Sequence, residues 1–124
     1  MKCPKCEHEM EVVAFKDVEV DRCTLCKGLW FDTFEAELLK NMKGSEEIDV
    51  GDPEVGRVFN RDDRIDCPRC SAAMIRMVDP KQPHIWVESC TGCHGVFFDA
   101  GEFRDFKRHT IADFFRGLRV GERR

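Results

Sequence analysis

The chain has 124 residues, which is enough for one ordinary domain or two very small ones. A hydrophobic content of 42% excludes a compositionally disordered protein, whereas 35% charged residues predict small cores that need a metal, a disulfide or a partner for stability. The formal net charge of −4 disfavours general binding along a phosphate backbone, and no apolar run approaches the roughly 20 residues of a membrane span.

The first predicted unit covers residues 1–42 and consists of a hairpin, a third strand and a helix. Two runs that are rich in β-forming residues, 10–15 and 18–23, predict the hairpin, and the run 29–31 predicts the third strand. Asp32, followed three residues later by a glutamate, has the spacing of an N-cap with a capping box. We therefore expect an α-helix to begin at Asp32.

Residues 43–66 separate this unit from the next and carry eight acidic against four basic residues. Glycine, proline and charge dominate the segment, which we interpret as an acidic linker. Both a solvated tether and a segment anchored by Val55, Val58 and Phe59 fit this pattern.

The second predicted unit, residues 67–106, repeats the first. A cysteine pair, a hairpin, another cysteine pair, an aromatic strand at 96–98 and an aspartate at Asp99 recur in the same order, with three additional residues before Cys90. We assign this insertion to the hairpin turn at residues 79–83. The match indicates an internal duplication.

The C-terminal segment, residues 107–124, is predicted to be a basic amphipathic helix. Six bases face two acids there, and the net charge of +4 is a local feature that could contact nucleic acid. The candidate binding residues are Phe114, Phe115, Arg116, Arg119, Lys107 and Arg108.

All eight cysteines fall in Cys-x-x-Cys pairs, and the pairs are spaced C-x2-C-x16-C-x2-C in the first unit and C-x2-C-x19-C-x2-C in the second. Both spacings lie in the range of four-cysteine zinc sites, because two intervening residues let one tight turn present both sulfurs to one ion. Gly28 and Gly95 are expected to let the backbone curl behind the last ligand. The predicted ligands of two Zn²⁺ ions are Cys3, Cys6, Cys23, Cys26, Cys67, Cys70, Cys90 and Cys93.

Two other interpretations of the cysteines stay open, namely iron in a rubredoxin-like site and thiol–disulfide chemistry at a single pair. Four thiolates close the coordination sphere of zinc and leave no position for a water or a substrate, so we expect no enzymatic activity. With eight thiolates and two Zn²⁺ ions bound, the formal charge falls from −4 to −8.

The block Cys-Lys-Gly-Leu-Trp-Phe-Asp-x-x-Glu at residues 26–35, after an initial Cys-Pro-x-Cys, resembles the transcription factor zinc-finger family, the small zinc ribbons named for transcription factor IIB. Both copies carry the resemblance. It implies a small, metal-stabilised α+β fold of two tandem zinc ribbons, each with three short antiparallel strands and a following α-helix. It also implies that the eight cysteines are the zinc ligands.

Three functions fit these features. The first is a non-catalytic, zinc-binding adaptor that contacts another protein, in transcription for example, with no membrane partner. The second is a nucleic-acid-binding zinc ribbon that uses residues 107–124. The third is a thiol redox sensor that releases zinc. Because paired cysteines without a secretory leader are typical of a reducing compartment, we expect a cytoplasmic location. The oligomeric state is not predicted.

Overall fold

The computed structural model describes residues 1–33, 35–59, 61, 65–79 and 82–107. Residues 102–107 form a helical segment, and none of the helices in the described part of the chain has the length and apolarity needed to cross a membrane. The other elements, in chain order, are β1 (Met10–Phe15), β2 (Val18–Cys23), β3 (Leu29–Phe31), α1 (Glu35–Lys40), a 3-10 helix (Ser45–Ile48), α2 (Pro53–Phe59), β4 (Met74–Asp79), β5 (Gln82–Cys90) and β6 (Val96–Phe98).

The strands of both repeats join in one six-stranded sheet with the order β1-β2-β3-β6-β5-β4. Its centre is the antiparallel pair β3–β6, in which Trp30 lies opposite Phe97. Leu29 lies opposite Phe98, and Phe31 lies opposite Val96. Because Trp30 and Phe97 occupy the same place in the two repeats, the repeats are related by a pseudo-two-fold axis through this pair.

The two faces of the central strands pack in two different cores, because successive side chains of a strand point to opposite faces. Trp30 and Phe97 belong to a metal-side core that also contains cysteines of both repeats. Leu29, Phe31 and Phe98 belong to a helix-side core with residues of α1 and Phe103. Each of the two cores contains residues of both repeats, so the two ribbons share both cores.

The segment between the repeats is folded against both of them. Ile48 is buried in the helix-side core, and its carbonyl oxygen accepts a hydrogen bond from Arg22 Nη1 at 3.0 Å. The buried Asp49 carboxylate accepts hydrogen bonds from the backbone N–H groups of Gly101 and Arg104, at 2.9 and 3.0 Å, at the start of the helical segment 102–107. The part of this segment around Ile48 and Asp49 is therefore packed against both repeats rather than forming a solvated tether.

The expected anchor of this segment at its valines and Phe59 is only partly correct. Phe59 packs against the metal-side core, but Val58 is 59% exposed. Ile48, in the helix-side core, and Asp49, bound to Gly101 and Arg104, are further anchors of this segment.

The three-residue insertion of the second repeat lies in a strand rather than in the turn. β5 has nine residues, against six in β2, and begins at Gln82. The pairing of β4 with β5 shifts in register between Val78 and Asp79. The predicted turn over residues 79–83 therefore overlaps the end of β4 and the start of β5, and the three additional residues lie between Gln82 and Trp86, the partners of Asp79 and Val78.

Candidate metal centres

Two clusters of four cysteine thiols could each hold a metal ion, and within each cluster the sulfur atoms all lie within 4.8 Å of one another. In the first centre, Sγ of Cys3 lies 3.7 Å from that of Cys26, and Cys6 lies 3.3 Å from Cys23. In the second centre, Cys67 lies 3.6 Å from Cys93, and Cys70 lies 3.4 Å from Cys90. These are the two sets that the sequence spacing indicated.

The donor geometry fits zinc. All eight cysteines are free thiols, and four sulfurs at a Zn–S distance of about 2.3 Å in a tetrahedron lie about 3.8 Å apart. The short contacts of 3.3–3.7 Å are close to that spacing. A four-thiolate set of this size could enclose one ion and leave no place for a substrate.

Backbone N–H groups of the cysteine turns donate to the sulfurs. Cys23 Sγ accepts hydrogen bonds from the N–H groups of Leu25 and Cys26, both at 3.4 Å. In the second repeat, Cys90 Sγ accepts them from Gly92 and Cys93, at 3.3 and 3.4 Å. Such donors stabilise negative charge on sulfur.

Four turns share one backbone feature that sequence analysis assigned to the wrong residues. The residue after the second cysteine of every pair has a positive φ, between 63° and 66°, and these residues are Glu7, Lys27, Ser71 and His94. Gly28 and Gly95 are not in this region of backbone space. They are required for a different reason, which is steric.

Each of these two glycines receives the aromatic ring of the other repeat. A Cβ atom on Gly28 would lie 2.3 Å from Cζ of Phe97, and one on Gly95 would lie 2.2 Å from Cζ2 of Trp30. Both rings are fully buried. The aromatic residue of each ribbon thus fills a slot beside the last cysteine turn of the other ribbon, which ties the two centres to one core.

A hydrogen bond between two thiols of the first centre shifts their pKa values in opposite directions. The hydrogen bond from the Cys26 thiol lowers the pKa of Cys3 to about 5, although burial opposes this change. The same hydrogen bond raises the pKa of Cys26. The cluster therefore favours anionic sulfur at Cys3, which suits a cationic ligand.

A buried lysine of the first cysteine turn reaches the second repeat. Nζ of Lys5 lies 2.6 Å from Oε1 of Glu88 and 3.3 Å from Oδ2 of Asp99, and the side chains are 0%, 0% and 1% exposed. Nζ also donates to the carbonyl oxygen of Phe59 at 2.8 Å. The ammonium of Lys5, in the turn between Cys3 and Cys6, thus compensates the charge of two buried carboxylates of the second repeat.

The aligned base of the second repeat, Arg69, makes the reciprocal contacts at the surface. Its Nε lies 2.8 Å from Oδ1 of Asp32, and its Nη2 lies 2.9 Å from Oδ2 of Asp21. These acids align with Asp99 and Glu88, but Arg69 and Asp32 are each 44% exposed. The two ion-pair sets are related by the pseudo-symmetry and differ in burial.

The helix starts show half of the predicted capping box. Glu35 Oε1 accepts the backbone N–H of Asp32 at 2.8 Å, and Glu102 Oε1 accepts that of Asp99 at 2.9 Å. The carboxylates of Asp32 and Asp99 pair with Arg69 and Lys5 of the opposite repeat. Asp49 supplies carboxylate oxygens at the second helix start.

Burial raises the pKa of the acids around Lys5. Desolvation is the main cause for Glu88, whose pKa rises to about 7, and the neighbouring Asp99 carboxylate adds to it. Desolvation and Asp99 also raise the pKa of Glu102 to about 9. This acid cluster therefore depends on the positive charge of Lys5.

The predicted partner-binding residues lie mostly beyond the described residues, which include only Lys107 of that set. Lys107 is buried, and its Nζ donates to the carbonyl oxygen of Met42 at 2.7 Å and to Glu46 at 2.8 Å. It is therefore unavailable to phosphate and is withdrawn from the proposed binding set. Phe114, Phe115, Arg116, Arg119 and Arg108 are not among the described residues.

The structural roles of Lys5, Glu88 and Asp49 were not among the predictions from the sequence. A signal for the first two was present, because a base lies between the first two cysteines of both repeats and an acid lies two residues before the third. No repeat partner identifies Asp49, since it lies between the copies.

The comparison with known families agrees with this geometry. The family described as transcription factor zinc-finger matches the chain twice, over residues 2–42 and 66–109. No curated protein and no solved structure matches the chain. The double match and the two four-cysteine clusters support two Zn²⁺ ions, one in each repeat.

Proposed function

The chain belongs to the transcription factor zinc-finger family, and we propose that it is a non-catalytic, zinc-binding adaptor that contacts another protein. The observation that carries this proposal is the closure of both metal centres by four cysteines each. A zinc ion with four thiolates has no open position at which to activate water or polarise a substrate. The role of zinc is therefore to stabilise the fold, and the function belongs to the protein surface.

The arrangement of the repeats supports an adaptor. The β3–β6 pairing and the shared cores make one folded body from two ribbons that are individually too small for an adequate core. Such a body holds the start of the C-terminal segment in place through Asp49 and Lys107. The aromatic residues that follow, Phe114 and Phe115, are proposed as the docking side chains.

The proposal includes a reducing compartment such as the cytoplasm. Eight free cysteines arranged as metal ligands support this location, because an oxidising compartment would convert such pairs to disulfides.

A second candidate function is nucleic-acid binding by the C-terminal segment. Residues 1–107 contain 15 of the 20 basic residues and 22 of the 24 acidic residues, whereas residues 108–124 contain five bases and two acids. The acidic body repels phosphate, so any contact with a nucleic acid would have to come from Arg108, Arg116, Arg119 and their neighbours.

Two paired variants separate these candidates. Phe114→Ala/Phe115→Ala removes apolar area and keeps the charge, whereas Arg116→Gln/Arg119→Gln removes charge and keeps the rings. Each variant is the control for the other, and Leu38→Ala, at an apolar side chain that is 54% exposed on α1, controls for loss of surface area in general.

The tagged, zinc-loaded full chain is purified from its own cells with and without nuclease, and its partners are identified. An adaptor retains its protein partners after nuclease treatment and loses them in the phenylalanine variant only. The nucleic-acid function would be favoured over the adaptor function by two results together. The partners would be lost after nuclease treatment, and binding to nucleic acid would weaken with added salt and in the glutamine variant. Partners retained by both variants would refute the proposed docking surface.

A further inference from the structure

The two metal centres differ in how far their sulfurs are enclosed. In the first centre, Cys3, Cys23 and Cys26 are buried, and Cys6 is half-buried. In the second centre, Cys70, which aligns with Cys6, is exposed. The two sites have the same ligands and spacing of sulfurs, so this difference comes from the residues around them.

One aligned position next to Cys70 differs between the two repeats. The last cysteine turn contains Leu25 in the first repeat and Gly92 in the second. The two turns have the same local geometry, since the N–H of each residue donates to the preceding cysteine sulfur at 3.4 and 3.3 Å. A Cβ atom on Gly92 would lie 3.3 Å from Cys70 Sγ, so the absence of a side chain at Gly92 leaves Cys70 open on this side, whereas a leucine holds the aligned position in the first repeat.

The cysteine turns are also held with unequal strength. The turn of Cys3 and Cys6 is fixed by Lys5, whose fully buried Nζ pairs with Glu88. The turn of Cys67 and Cys70 is fixed by Arg69, which is 44% exposed and in competition with water. Opening the first turn would leave two fully buried carboxylates without the Lys5 ammonium, whereas opening the second separates Arg69 from Asp32, which is 44% exposed, and from Asp21, which is 15% exposed.

We propose that the second centre is the exchangeable one, and that the Cys70 thiolate is the point at which a soft electrophile attacks it, while the first centre stays closed. This inference goes beyond the adaptor function and does not depend on it. It assigns a structural role to the first centre and a reactive role to the second.

The chemical step needs no oxidant. A lone pair of the Cys70 sulfur forms a bond to the electrophilic carbon, and the leaving group departs with the electron pair of the bond that breaks. The product is a neutral thioether in place of an anionic thiolate. Because zinc affinity depends on deprotonated sulfur ligands, the second centre then loses its ion.

The test uses the zinc-loaded full chain and iodoacetamide, from which iodide leaves. Peptide mass spectrometry identifies the first cysteine to be alkylated, and a zinc-binding dye records the release of metal over time. The expected result is that Cys70 is modified first and that one of the two zinc ions is released in a separate, earlier phase. First modification at Cys6, or release of both ions in a single phase, would overturn the proposal.

Exchanging the aligned residues tests the stated cause. Gly92→Leu should slow alkylation of Cys70, and Gly92→Ala should slow it less. Leu25→Gly should expose Cys6 and accelerate release from the first centre. If Gly92→Leu does not load two zinc ions, the alanine and Leu25→Gly variants decide the outcome, and unchanged rates in both would refute the role of this position.

Discussion

Replacing Lys5 by methionine removes one buried positive charge and nearly conserves the side-chain volume. In the structure, Nζ of Lys5 contacts Glu88 at 2.6 Å and Asp99 at 3.3 Å, with all three side chains essentially inaccessible to water. Oε2 of Glu88 and Oδ1 of Asp99 have no hydrogen-bond partner among the described residues. The variant therefore removes the ammonium that contacts both buried carboxylates and leaves Glu88 with only the more distant influence of the Arg76 charge.

The size of the effect follows from this burial. Removing one partner of a buried ion pair destabilises a protein by about 3–5 kcal/mol. Arg69→Met, at the aligned position, breaks pairs with Asp32, which is 44% exposed, and with Asp21, which is 15% exposed. Because Arg69 itself is 44% exposed to water, about 0–1 kcal/mol is expected. The two variants change the same position of the repeat and differ in burial, so Arg69→Met is a matched control.

Urea unfolding at a fixed excess of zinc measures both variants, with fluorescence and circular dichroism compared to establish two-state behaviour. For slopes of about 1–3 kcal/mol per molar urea, Lys5→Met should lower the midpoint by on the order of 2 M. Adding Glu88→Gln to Lys5→Met should recover part of this loss, because one unpaired charge is removed. Equal losses in the Lys5 and Arg69 variants, or no recovery, would refute the reasoning.

Three further predictions follow from the described contacts. Gly95→Ala places a Cβ 2.2 Å from Cζ2 of Trp30 and should reduce the free energy of unfolding by about 1–3 kcal/mol. Adding Trp30→Phe should restore part of this lost stability. If the second substitution restores none, the clash with Trp30 is excluded as the cause. The pKa of Glu102, about 9 in the folded protein, lies above its ordinary value of 4.5, so the stability linked to its proton is full below pH 4.5 and is lost as the pH rises towards 9. Glu102→Gln should therefore gain stability relative to the parent between pH 7 and 9 in urea titrations, more than Glu35→Gln at the aligned position, and parallel curves would contradict this. Removal of both zinc ions by a chelator should unfold the chain, since a structural zinc contributes about 10–16 kcal/mol; native circular dichroism in a sample shown by metal analysis to be zinc-free would contradict it.

Local features were predictable from the sequence. The four cysteines of each repeat come together, and their turns donate N–H groups to sulfur, because a Cys-x-x-Cys pair determines its own turn. β1 and β2 have the predicted bounds, since alternating side chains and a short polar turn act within a few residues. The carboxylates of Glu35 and Glu102 accept hydrogen bonds from the backbone N–H groups at the starts of their helices, because this contact also spans only three residues.

Errors arose where a residue serves a distant partner. Gly28 and Gly95 were expected to provide backbone freedom, but they make room for an aromatic ring of the other repeat. Lys107 was expected at a binding surface, but its ammonium is enclosed by the segment between the repeats. Nothing within a few residues of these positions indicates the contact, because the partner lies elsewhere in the chain.

The sequence by itself determined that the protein consists of two zinc-binding ribbons, because ligand type and spacing are local properties that the metal requires. Only the tertiary structure decided that the two ribbons share one sheet, that Trp30 and Phe97 meet at its centre, and that Lys5 pairs with Glu88 across 83 positions of the chain. The physical reason is that the docking of the ribbons depends on side-chain shape and buried charge between distant segments, which local periodicity does not encode.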